Sequence, residues 1–132
     1  MNERDFVAGV ENCTIGARDF RHADHVRLAW ICLRNYPLLE AIARFVSTLR
    51  RFAAHHGMPE KYHETVTWAY LLLIHERMRR GGEPQEWERF RAENDDLFTR
   101  NPSILERYYA PATLESDIAC KSFVLPDAGL RL

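Results

Sequence analysis

The chain has 132 residues, with 18 basic and 19 acidic side chains and a net charge of −1. That length builds one ordinary domain with a real core, and the charge balance argues against a nucleic-acid surface, which needs a basic excess. The longest apolar run, residues 68–74, falls well short of the ~18–20 residues that span a bilayer, so no membrane partner is expected.

Residues 1–18 show no sustained period and contain Gly9 and Gly16, and they read as an arm. The remainder, 19–132, reads as a single helical-bundle domain. A first helix is expected over residues 20–34 with Asp19 as N-cap; His22, His25, Val26, Ala29, Cys32 and Leu33 form its apolar stripe. Asn35-Tyr36-Pro37 breaks it. A second helix follows over 38–56, striped by Leu38, Ile42, Phe45, Leu49, Phe52 and His56, and Gly57 stops it. The third, over 60–80, carries His63, Thr67, Tyr70 and Ile74, with Arg77, Arg79 and Arg80 at its end. After Gly81-Gly82 a fourth helix is expected over 84–100, with Trp87, Phe90, Asn94 and Leu97 on one side. Ser103 caps a short helix, 113–122 reads as a last one, and 123–126 as an extended tail. The fold class is therefore all-α, an up-down-up-down four-helix bundle with a C-terminal appendage.

This topology brings histidines together. At 1.5 Å per residue, His22 and His63 both lie about 20 Å below the Pro37 turn, with His25 and Thr67 one turn higher beside Asn94. His56 lies below them, and His75 is on another face. His22, His25 and His63 would then supply three imidazoles to a divalent transition metal, with zinc, iron, nickel and copper undistinguished. Thr67, Asn94, Tyr70, Glu64 and His56 would line the pocket or support the ligands. The competing reading makes these histidines core-edge groups bonded to backbone. There is no HExxH or paired E-x-x-H signature. If an open position remains on the metal, bound water could be activated for hydrolysis, or oxygen chemistry could follow with iron, and the protein would then be a metal-dependent enzyme of unassigned substrate.

Two further readings come from other classes. Trp30, Trp68 and Trp87 with Tyr62 and Tyr70 would line a pocket for a small molecule or haem, although the absence of CxxCH excludes covalent haem. Alternatively, mixed Arg/Glu faces, Arg89 and Arg91 with Glu83, Glu86, Glu88 and Glu93, would serve a structural domain or homodimer. Cys13, Cys32 and Cys120 are odd in number and widely spaced, and with no apolar leader they suggest free thiols in the cytoplasm. Cys32 reads as a small buried apolar residue. The stretch Phe20-Arg21-His22-Ala23-Asp24-His25, with Lys61-Tyr62-His63-Glu64-Thr65, resembles a pattern in small bacterial helical proteins of unassigned function. That resemblance implies no activity.

Overall fold

A computed structural model describes residues 1–82 and 84–128. Glu83, assigned above to a charged face, and residues 129–132 of the expected domain lie outside the described residues. Among the described residues the chain is all-α, with seven α-helices joined by turns and no named strand. It divides into two units, Met1–Tyr62 and His63–Leu132.

The first unit begins with a helix, inside the stretch 1–18 that reads as an arm from sequence. Asn2 accepts the Asp5 amide at 2.8 Å and starts α1, Glu3–Glu11. Acidic Glu3 and Asp5 suit the positive end of the helix dipole. The buried hydrophobic side chains of this helix are two, Phe6 and Val10, one turn apart, which is too few to register as a stripe. Gly9 lets the returning chain close: a Cβ there would stand 2.7 Å from Ile15. A 3-10 turn over Ala17–Asp19 precedes α2, His22–Asn35. Asp19 is therefore not the N-cap. Arg21 holds that place, because the Asp24 carboxylate accepts the Arg21 amide at 2.9 Å. Tyr36 and Pro37 turn the chain into α3, Leu38–His55, which Gly57 ends in the left-handed region at φ 72°. The expected second helix is thus found almost residue for residue. α3 packs along α2 and also against α1.

The second unit is built on α4, Glu64–Arg80. It starts later than expected, because Pro59–Lys61 forms a 3-10 turn and His63 is the N-cap. The expected fourth helix is much shorter: α5 spans only Trp87–Glu93, and a 3-10 turn, Asp95–Leu97, follows. Asn94 stops it by turning its own side-chain amide back to the Phe90 carbonyl at 2.9 Å. Asp96 leaves the helical path to meet Arg77 in a two-pronged ion pair at 2.8 and 2.9 Å. Ser103 caps a 3-10 turn, Ile104–Arg107, as expected for a cap. The expected last helix is two pieces, α6, Pro111–Leu114, and α7, Asp117–Lys121, because Ser116 bonds the Thr113 carbonyl and caps a new start.

The tail beyond α7 is extended, as expected, and is tied to α4. Thr65, fully buried, donates to the Ser122 carbonyl at 2.8 Å and accepts the Val124 amide at 3.1 Å. Phe123 lies 5.8 Å from the Trp68 ring, and the Tyr109 hydroxyl donates to the Val124 carbonyl at 2.8 Å. Asp127 accepts from the Ala110 amide and the Thr113 hydroxyl. No helix among the described residues is long and apolar enough to cross a membrane.

Candidate functional site

In the first unit the histidines terminate an aromatic ladder. His22 is the first residue of α2 and is half-buried. His25, one turn on, sets its ring edge-on to Phe20, 4.2 Å between centroids at 84°. Phe20 lies on Phe52 at 4.9 Å, and Phe52 on His56 at 4.4 Å. Nε2 of His56 is 3.1 Å from the Ile15 carbonyl. A carbonyl only accepts, so that nitrogen carries the proton. His25 and His56 thus stand at opposite ends of a phenyl stack, each against a ring.

In the second unit His63 commits both ring nitrogens to backbone. Nδ1 accepts the Val66 amide at 3.1 Å and caps α4. Nε2 lies 2.7 Å from the Leu114 carbonyl and therefore donates to it. This is a neutral imidazole with one defined tautomer and no lone pair left over. The other residues expected to line a pocket with it are engaged elsewhere. The Thr67 hydroxyl donates to the His63 carbonyl at 2.7 Å. Buried Asn94 accepts from Arg77 at 3.0 Å, and the Tyr70 hydroxyl meets Ser103 at 3.0 Å. Burial pushes the Tyr70 phenol up, against the Ser103 bond. Glu64, in the first turn of α4, is half-buried.

A helix over 60–80 would carry His63 on its inward stripe. As an N-cap it precedes the helix, and helical period does not set its direction. Among the described residues no group of three or more His, Cys, Asp or Glu side chains could hold a metal ion. The tryptophans are distributed as well: Trp30 lies under the Arg34 guanidinium at 4.5 Å, Trp68 against Phe123, and Trp87 against Phe90 and Phe98.

One arrangement with room for a ligand is a cleft in the first unit, of about 340 Å³. Its α1 side presents Glu3, Arg4, Val7, Ala8 and Glu11, on successive turns of one face. The α2 side presents Leu28, Ile31, Cys32 and Asn35, and Tyr36 with Arg44 and Thr48 completes it from the turn and α3. Leu28, Ile31 and Thr48 are buried, so the floor is mostly apolar and the rim is charged. Glu3 is paired with Arg34 at 2.5 Å. Arg44 bonds Glu40 through Nε at 2.9 Å and lies over the Tyr36 ring at 4.1 Å. Glu11 has its backbone carbonyl held by Arg51 at 3.1 Å.

Cys32 borders this cleft. Burial, reinforced by the Glu11 carboxylate and opposed by Arg44, pushes its thiol up to about 11. It is therefore a neutral thiol at physiological pH, half-buried at the cleft rather than fully buried as its stripe position suggested. The sequence singled out Cys32 as a packing residue, but not Leu28 or Ile31 of the α2 wall, nor Glu3, Arg4, Val7, Ala8 or Glu11. The available signal was Asn2 ahead of Glu3 and Asp5, a cap with an acidic first turn.

Comparison of the chain with protein-family models, with curated proteins and with solved structures yields no match.

Proposed function

We propose that the protein is a binding module for a small organic molecule, held in the cleft of the first unit. The observation that carries this reading is the cleft's composition: about 340 Å³ with a buried aliphatic floor and charged groups only at the rim. Ligand sites range from about 300 to 1,000 Å³ and combine apolar walls with a few placed polar groups. At the lower end of that range the cleft suits a molecule of roughly a dozen non-hydrogen atoms and is too small for a porphyrin. No histidine lines it, so it offers haem no imidazole ligand. The thiol at its edge is neutral and a weak nucleophile, which favours binding over covalent chemistry.

Ala8 lines the cleft yet is exposed on α1, so a larger side chain there fills the space without cutting into the core. The test is a thermal-shift screen of small polar-apolar molecules against the wild type and Ala8→Trp, with circular dichroism confirming that the variant is folded. A ligand at about 100 times its Kd stabilises by about 2.7 kcal/mol, a readily measured shift. Ligands that stabilise the wild type should leave Ala8→Trp unmoved. An equal response from both proteins would place binding elsewhere and overturn the reading.

A further inference from the structure

We infer that the ligand of this cleft is a zwitterion of amino-acid size, its cationic end at Glu11, its carboxylate at Arg44 and an apolar side group on Leu28 and Ile31. This rests on the small-molecule reading of the cleft.

The rim carries opposite charges that are not paired with each other. Glu11 and Arg44 both line the cleft, and no ion pair joins them among the described residues. Their charges are nevertheless within electrostatic range of each other and of Cys32. Arg44 is pre-oriented: Glu40 holds its Nε and the Tyr36 ring supports its guanidinium face. Its two terminal amino groups remain to meet a carboxylate, the geometry at which guanidinium excels. Glu11 ends α1, and Arg51 fixes that end by donating to its carbonyl, while the Glu11 carboxylate has no ion-pair partner among the described residues.

The balance of charge selects the ligand class. The cleft is lined by two carboxylates, Glu3 and Glu11, and two guanidiniums, Arg4 and Arg44. Arg34 already neutralises Glu3, and Glu40 partly satisfies Arg44. A simple anion at Arg44 would leave its remaining bulk beside Glu11, and a simple cation at Glu11 would lie beside Arg44. A molecule carrying both charges meets both, and its side group covers the aliphatic floor. The neutral Cys32 thiol adds no charge to upset this match. Because the rim is open to solvent, the polar contacts give selectivity and the apolar contact gives most of the affinity.

Calorimetric titration of the full chain with L-phenylalanine, L-leucine, 3-phenylpropionate and 2-phenylethylamine tests this. At least one of the two amino acids should bind ten times or more tighter than either singly charged probe. Glu11→Gln should lower the amino acids to the level of 3-phenylpropionate, and Arg44→Gln to that of 2-phenylethylamine. Ala8→Trp should abolish binding of all four. If a singly charged probe binds as tightly as the amino acids and Ala8→Trp still blocks it, the zwitterion assignment falls and the cleft remains a binding site. If none of the four binds, the assignment falls too, and the separate thermal-shift screen decides whether the cleft reading falls with it.

Discussion

Replacing His63 with Ala removes two bonds at once. The first is the cap on α4, where Nδ1 accepts the Val66 amide. Losing a side-chain N-cap costs about 1 kcal/mol. The second is the donation from Nε2 to the Leu114 carbonyl at 2.7 Å, which fastens the chain ahead of α7 to the start of α4. A net hydrogen bond of this kind is worth about 1 kcal/mol. The sum, about 2 kcal/mol, corresponds to a fall in Tm of about 7 °C for a chain this size. His63→Asp separates the two contributions. Its carboxylate caps the helix but cannot donate to a carbonyl, so about half the loss should return. Urea titration followed by circular dichroism gives the values. A His63→Ala protein within about 0.5 kcal/mol of wild type, or an Asp variant no better than Ala, would refute this account. So would wild-type protein that loses the same stability on chelator treatment, since that outcome would make His63 a metal ligand after all.

Three other substitutions or treatments have expected outcomes. Arg77 and Arg107 hold the Asp96 carboxyl down to about 2. Its stabilisation is therefore full above the unfolded value of about 3.9 and is lost as pH falls through about 2. Since the pair is partly exposed, Asp96→Asn should cost about 1 kcal/mol at pH 7, and the difference from wild type in urea titrations should vanish near pH 2. Thr65→Val keeps the shape but strands the Ser122 carbonyl and the Val124 amide, costing about 2 kcal/mol, and should speed trypsin cleavage after exposed Lys121. With its thiol near 11, Cys32 carries roughly 100-fold less thiolate at pH 8 than in unfolded chain, so iodoacetamide should modify it correspondingly slowly, as read by peptide mass spectrometry.

The all-α class was legible because three helices carry long apolar stripes bounded by strong punctuation. Gly57, placed as a stop from its sequence context, is such a stop, with positive φ. What remained hidden turned on side chains bonding to backbone. Asn94 ended α5 early through a bond to Phe90, and periodicity has no term for that choice. Asp24, three residues beyond Arg21, moved the start of α2 past Asp19. The histidines failed to declare their roles for the same reason. A cap and an inward helical residue look identical in a stripe, and only the position of Glu64 as the first helical residue shows His63 to be a cap. In the cleft, half the wall comes from α1, whose short length and two buried apolar residues fall below what a pattern can register.

The bonds that close the second unit join residues made far apart in time. His63 reaches 51 positions forward to Leu114, and Thr65 reaches 59 to Val124. On a ribosome adding about 5–20 residues per second, Thr65 waits roughly 3–12 s for its partner to be made. The first unit has no such wait, since α1, α2 and α3 find their contacts within residues 1–62. The ligand cleft therefore takes shape on a nascent chain whose second half is still being synthesised. In that interval α4 lacks its strap, and a chaperone or protease would meet Thr65 and Trp68 without the tail residues that bond and pack on them.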